Sequence, residues 1–273
     1  MSYSILNNIP ALSAENQLTS TQMSLQKTLA QLASGSRINS GADDAAGLAI
    51  ANGLQANISA LNQSVQNANN GVSSLQVADG ALGQVTSLLN RAVTLATEAS
   101  TGTVSSTQRT ALNSEYTQIM AEIDRVGTTT TFNGTSVFTA STTSIYLSDA
   151  SSNSTIGVSV GALSSSGLGL GSTTLAGADG SAAQTALTAI NTAISTIASD
   201  RGTIGASINR LQDAAAVIGV QVQNLTAAEN GITAADIPTA ISNLSRESVL
   251  AQTGMAALAQ ANSQEQSVLT LLH

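Results

Sequence analysis

The sequence has no cysteine and no tryptophan, a single lysine, Lys27, and a single histidine, His273 at its last position. Without cysteine there is no disulfide framework and no thiolate chemistry. Because that histidine is the last residue, no His-containing triad or zinc motif is read from the sequence, and neither HExxH nor a phosphate loop occurs. Gly167-Leu168-Gly169-Leu170-Gly171 lacks the strand, turn and helix of a dinucleotide site and reads as a loop. Asp43 and Asp44 have no further ligands around them, so no metal is expected. The sequence offers no catalytic residue and no cofactor site, and an enzyme is not expected.

Other shortages narrow the partners. Aromatic residues make up 2% of the chain and charged residues 9%. Ala, Leu, Ile and Val supply the apolar volume, and side chains this small suit close helix packing better than a ligand cavity. The formal charge is −8, and the 8 cations are scattered along the chain. Nucleic acid, which needs clustered Lys and Arg, is excluded as a partner. No apolar run approaches the roughly 18 residues that span a membrane, so no membrane insertion is expected. The first 20 residues lack the basic start and apolar centre of a secretory signal. A chain working outside the cell would need another export route.

What the sequence does have is long helical seams. From Leu187 to Leu225, steps of three and four pick out Leu187, Ile190, Ile194, Ile197, Arg201, Ile204, Ile208, Leu211, Ala215, Ile218, Val222 and Leu225. Arg201 is the one polar exception, and no proline intervenes. A period of 3.5 marks a helix packed lengthwise on other helices. Leu54, Ile58, Leu61, Val65, Ala68, Val72 and Leu75 repeat the pattern. The next position, Asp79, is polar, and the seam shifts to Ala78, Leu82, Val85, Leu89, Ala92 and Leu95. Two such rods in one chain predict an antiparallel or bundled coiled coil.

Taken in order, the chain begins with a helix reaching about Ala33, its loose apolar face made by Ile5, Ile9, Leu12, Leu18, Leu25, Leu29 and Leu32. Pro10 fits only near its start. Ser34-Gly35 is the expected stop, and Arg37–Gly41 a turn. The first long helix is expected from Asp43 to Ser100, and a shorter one, capped by Ser105 or Ser106, through Val126 with Gly127 closing it. From Thr128 to Ser181 helical periodicity disappears. Ser144–Ser148 and Thr155–Val160 alternate at period two, so a β-hairpin is predicted, with Asp149–Asn153 as its turn. Ser164–Gly171 reads as a Gly/Ser-rich loop. Asn230-Gly231 reads as a break after the second rod. Thr233 or Asp236 should cap a last helix with Pro238 in its first turn. Its stripe is Ile241, Leu244, Leu250, Met255, Leu258, Val268 and Leu271. Both ends are therefore amphipathic helices, which invite pairing with each other and with neighbouring copies.

The turn after the first helix carries a resemblance. Leu32-Ala33-Ser34-Gly35-Ser36-Arg37-Ile38-Asn39-Ser40-Gly41-Ala42-Asp43-Asp44-Ala45-Ala46-Gly47-Leu48-Ala49-Ile50-Ala51 resembles the N-terminal signature of bacterial flagellins. Asn209-Arg210-Leu211-Gln212, Ser242-Asn243-Leu244-Ser245-Arg246, Leu258-Ala259-Gln260-Ala261-Asn262 and Leu269–Leu272 resemble the C-terminal one, and Ile123–Val126 and Phe132-Asn133-Gly134 also fit. The resemblance implies a mainly α fold: a long antiparallel α-helical coiled-coil bundle with a small β-hairpin region, its terminal helices pairing as an inner coiled coil. It implies residues 1–42 plus 235–273 as an inner core domain and 43–234 as a helical rod including a hairpin segment, 129–181. It implies a subunit of the extracellular flagellar filament, exported by the type III route, that polymerises with itself. The further partners implied are an export chaperone, a filament cap and hook-junction proteins. The expected assembly residues are Leu25, Leu29, Leu32, Leu244, Leu250, Met255, Leu258 and Leu271.

Two departures from the family pattern stand out. Only about ten residues separate Gly171 from the next helix, so no large outer domain is expected. Arg91, Leu95 and Glu115 resemble a segment that an animal innate immune receptor reads in some flagellins, but Val93, Thr94 and Ile119 stand where that segment has charged residues. A hook–filament junction protein of the same family and a cell-surface glycan-binding protein on the same scaffold are the alternative readings.

Overall fold

The computed structural model describes residues 8–148 and 154–271. The expected turn at Asp149–Asn153 and the side chain of Ile5 lie outside those residues. In order come α1 (Ile9–Ser34), α2 (Ala45–Ala99), α3 (Ser106–Thr129), β1 (Thr131–Phe132), β2 (Thr135–Ser136), β3 (Thr142–Tyr146), β4 (Thr155–Ser159), α4 (Ser181–Thr233) and α5 (Ile237–Leu271). The fold is mainly α, with two small antiparallel sheets. The chain divides into two compact units. One joins the residues up to Ala56 to those from Asn224 onward; the other is Asn57–Gln223.

The Asn57–Gln223 unit is organised by α2 and α4. At 53 residues, α4 is about 80 Å long. Its seam is real: Ala183, Ile190, Ile197, Ile204, Leu211 and Ile218, each a heptad apart, are all buried. On α2 one heptad column, Leu61, Ala68, Leu75, Leu82, Leu89 and Ala96, runs buried without a break. The second column changes sides at Asp79, from Ile58 and Val72 to Ala78, Val85, Ala92 and Ala99. The shift has a packing cause. The C-terminal half of α2 is flanked by α3, through Arg91 bonded to Glu115 and Arg109 bonded to the Ala99 carbonyl. The earlier half is flanked by the β3–β4 hairpin, through Ser64 to the Ser148 carbonyl and Asn67 to the Tyr146 carbonyl.

The two polar exceptions of the seams meet each other. Arg201 grips Asp79 with two parallel bonds, at 2.7 and 3.1 Å. Together with Gly180 against Ser100 and Gly71 against Leu211, this fixes α2 and α4 as antiparallel. Asp79 is held below the ordinary carboxylate range by its hydrogen bond to Arg201.

Between α3 and α4 the chain is anchored rather than free. Asp124 accepts the amide and hydroxyl of Ser165, Asn113 accepts the Leu175 amide, and the Tyr116 and Thr173 hydroxyls are hydrogen-bonded to each other. Leu163, Leu170 and Leu175 are buried beneath these bonds. Arg109, itself buried, ties the ends together by donating to the carbonyls of Ala99, Thr101 and Ala178. The expected hairpin is present, with Thr142 opposite Ser159 and Tyr146 opposite Thr155.

Three expectations change. Gly127 does not close α3, which runs on to Thr129. A side chain there would strike the Leu163 carbonyl, so this glycine allows the loop to pack on the helix. Asn230-Gly231 does not break α4, which continues to Thr233. The last carbonyls of α4 have donors waiting: Thr233 accepts the Arg37 amide at 2.7 Å and the Ser36 hydroxyl at 3.0 Å, and Ile232 accepts the Arg37 guanidinium at 2.8 Å. Satisfying those carbonyls outweighs the roughly 1 kcal/mol that a helical glycine costs. Lastly, β1 and β2 form a hairpin that hydrophobic alternation had not signalled. Its two-residue turn, Asn133-Gly134, has φ of 49° and 77°, the positive pair that Asn-Gly favours.

Candidate functional site

The terminal unit holds most of the residues expected to act in assembly. α1 begins where Asn8 accepts the Ala11 amide, with Pro10 in the first turn, and ends at Gly35 with φ of 69°. α5 begins at Asp236, whose carboxylate accepts the Thr239 amide and hydroxyl, and Pro238 falls in its first turn as expected. The two helices pair antiparallel. Ala235 donates its amide to Gly35, Gly254 faces Leu18, and Asn8 donates to the Ala261 carbonyl at 3.3 Å.

The less exposed positions of both helices follow a heptad. On α1 the seam is Ala11, Ala14, Leu18, Thr21, Leu25, Thr28 and Leu32; on α5 it is Ala240, Leu244, Glu247, Ala251, Gly254, Leu258 and Ala261, with Gln31, Asn243 and Ser248 half-buried beside it. Large apolar residues are a minority on this seam, and most of its members are only half-buried. Outside it the helices show water a series of apolar side chains. Ile9, Leu12, Met23 and Leu29 are exposed on α1, as are Ile237, Ile241, Val249, Leu250 and Met255 on α5.

The expected assembly residues therefore divide. Leu25, Leu32, Leu244 and Leu258 lie on the seam between α1 and α5. Leu29, Leu250 and Met255 are uncovered, at 48%, 47% and 52% exposure. The side chain of Leu271 lies outside the described residues. The apolar-stripe reading missed Thr21, Thr28, Glu247 and Gly254, because polar and small residues do not stand out in such a stripe. Their spacing of three and four was the signal available.

A polar clamp closes the turn between α1 and α2. Asp43 receives Lys27 at 2.9 Å, the amides of Asn39 and Ser40 at 3.2 and 3.0 Å, and the Ser40 hydroxyl at 3.1 Å. These donors, Lys27 foremost, hold its carboxyl at about 2. Asp44 instead caps α2 by accepting the Gly47 amide at 2.8 Å. The turn is pinned over the buried side chain of Ile38.

The immune-receptor-like trio lies in the other unit. Arg91 and Glu115 are exposed and joined at 2.7 Å, which raises the guanidinium and lowers the carboxyl from their ordinary values. Leu95 is buried. Among the described residues no group of three or more His, Cys, Asp or Glu side chains could hold a metal ion, and no helix is long and apolar enough to cross a membrane.

Comparison with known proteins agrees with this architecture. Residues 5–143 match the bacterial flagellin N-terminal helical region, and residues 187–272 match the bacterial flagellin C-terminal helical region. The flagellar filament 33 kDa core protein of Treponema phagedenis is 34% identical, over 98% of this chain and 99% of that protein. A flagellin of Halalkalibacterium halodurans is 35% identical, over the same 98% and 99%. The crystal structure of Bacillus cereus flagellin is 34% identical, covering 60% of this chain and 94% of that one, with a TM-score of 0.49. With matches at both ends and two relatives aligned from end to end, the chain belongs to the bacterial flagellin family, whose members are the structural subunits of the extracellular flagellar filament.

Proposed function

We propose that residues 1–42 and 235–273 form the inner layer of the filament, and that subunits join through the apolar side chains that α1 and α5 leave uncovered. In this reading Leu29, Leu250 and Met255 meet the neighbouring copy. Leu25, Leu32, Leu244 and Leu258 hold the pair that presents them, and Leu271 extends the stripe. Residues 43–234 form the surrounding rod with its hairpin segment, 129–181, and no large outer domain. The observation that carries the reading is the run of exposed large apolar residues on both terminal helices. Each methylene covered by a neighbour contributes about 0.8 kcal/mol. A head-to-tail contact that does not close builds a helical polymer.

The same exposed faces account for the remaining partners. An export chaperone would cover α5 before secretion, a cap protein would guide it at the growing tip, and hook-junction proteins would meet it at the base. No enzymatic step is assigned to the chain. Of the immune-receptor-like segment, Arg91 and Glu115 are the part a receptor would reach.

The test is electron microscopy of the purified subunit at neutral pH, with and without short filament seeds. The wild-type chain should extend seeds into long filaments. Leu250→Asp should keep the Asn57–Gln223 unit folded by circular dichroism yet fail to extend them. Normal filaments from Leu250→Asp would sink the assignment of this face, and a wild-type chain that stays dispersed with seeds would favour the junction-protein reading.

A further inference from the structure

One position on the α1–α5 seam works against a stable helix pair. Glu247 takes a heptad place that Ala, Leu or Gly fills elsewhere on α5. Its Oε2 is shielded from solvent and has no hydrogen-bond partner among the described residues. The register set by Leu18 beside Gly254 and Gly35 beside Ala235 puts Glu247 opposite Leu25, between the buried Thr21 and Thr28. Thr21 spends its hydroxyl on the Gln17 carbonyl at 2.8 Å. The cations of the two helices are engaged elsewhere. Lys27 is held on Asp43 at 2.9 Å, and Arg246 donates to the Asn243 amide oxygen at 3.0 Å. A buried carboxylate oxygen without a donor opposes the packing that shields it.

We propose that Glu247 is a brake on assembly: its carboxylate keeps the α1–α5 pair weak within one subunit, so the pair packs firmly only when a second copy covers its outer face. The proposal rests on the reading of these helices as the assembling layer. Within one subunit the seam gains little, because Ala, Thr and Gly bury little apolar area and the carboxylate subtracts from that. A second copy adds the burial of Leu29, Ile241, Leu250 and Met255, which the lone subunit lacks. Closing the pair then becomes part of joining the filament, and the ordering entropy is lost only at that step. A subunit with an uncharged residue at 247 would close its pair in advance and assemble at lower concentration.

The test compares the full-length wild-type chain with Glu247→Gln and Glu247→Leu. Hydrogen exchange of the isolated subunit reads the pair directly. Protection of the α1 and α5 amides should rise about ten-fold in Glu247→Leu, the scale for relieving one buried unsatisfied group, and by less in Glu247→Gln, which removes the charge but keeps polar atoms in the seam. Amides of Asn57–Gln223 should not change. The critical concentration for filament growth should fall in both variants. Unchanged or lower terminal protection in both variants would overturn the proposal. So would a critical concentration that stays level or rises; a rise would instead make Glu247 an acceptor for a neighbouring subunit. A wild-type chain that cannot extend seeds would overturn the assembling-layer reading along with the brake, whereas a failure confined to the variants' exchange or critical concentration would leave that reading standing.

Discussion

The α2–α4 pair and the α1–α5 pair both follow a heptad, but they bury different chemistry. Along α2 and α4 the heptad places hold Leu61, Leu75, Leu82, Leu89, Ile190, Ile197, Ile204 and Leu211, all almost free of solvent. Along α1 and α5 they hold five half-buried leucines among Thr21, Thr28, Glu247, Gly254 and several alanines, while Leu29, Leu250 and Met255 face outward. Both pairs have the spacing of a coiled coil. What differs is the share of large apolar residues that is covered: nearly all of the seam places in the first pair, but only Leu18, Leu25, Leu32, Leu244 and Leu258, each half-buried, in the second. A pair with its apolar volume inside is stable by itself. A pair with much of it outside leaves that burial unmade within the single chain.

Truncating one leucine in each pair should break the symmetry most visibly. Leu89→Ala removes a fully buried side chain from the α2 seam and should cost about 2–5 kcal/mol, lowering the denaturation midpoint of the Asn57–Gln223 unit. Leu258→Ala removes a half-buried one and should cost about 1 kcal/mol, confined to the terminal helices. Denaturant melts read by circular dichroism, with hydrogen exchange to separate the units, give both values. Equal losses would mean that the terminal seam is as well packed as the other, and the contrast would fail.

The sequence made one of these pairs far more legible than the other. Apolar residues at steps of three and four marked α2 and α4 because those seams are made of residues that hydrophobic spacing detects. Asp79 and Arg201 stood out as separate exceptions. Their pairing was not readable, because it depends on the register of two helices that brings together residues 122 positions apart in the chain. In the terminal unit Leu25, Leu32, Leu244 and Leu258 were found, but the seam also runs through Thr21, Thr28, Glu247 and Gly254, which carry no hydrophobic signal. The apolar stripe of α1 mixed inward Leu18 with outward Ile9 and Leu12. Local rules failed where tertiary contacts outweighed them. Asn230-Gly231 reads as a break until Ser36 and Arg37 supply donors to the end of α4, and Gly127 reads as a stop until Leu163 packs against it.

The Asp79–Arg201 bridge joins the two rods at the place where their seams turn polar, but its effect should be small. The side chains are 38% and 42% exposed, and water screens such pairs. Arg201→Ala should destabilise the Asn57–Gln223 unit by less than about 1 kcal/mol, well below Leu89→Ala. Asp79 has its carboxyl lowered, first by the Arg201 hydrogen bond. Its contribution is therefore present above the ordinary carboxylate range and lost as pH falls through the folded value. In Arg201→Ala the stability difference from wild type should shrink in acid. A constant difference from neutral pH down to acid would show that lost side-chain packing, not charge pairing, causes the effect.

The smallest expected effect lies at the α1–α2 turn, where the terminal unit has its own ion pair. Asp43 titrates near 2 instead of 3.8, held down first by Lys27 and then by the Asn39 amide, with the hydroxyl and amide of Ser40 adding to the effect. Its folded value is the lower one, so the clamp contributes above the ordinary range and is lost between 3.8 and about 2 as pH falls. Because the pair is partly exposed, the readout is the titration itself and not a melt. Carboxylate chemical shifts followed by NMR should give Asp43 a midpoint near 2 in the wild type. Lys27→Met should move it upward without restoring 3.8, because the donors from Asn39 and Ser40 stay in place. A midpoint unmoved by Lys27→Met would make the backbone amides, not the lysine, the source of the clamp. The turn would then be a self-contained cap on α2, with no hold on α1.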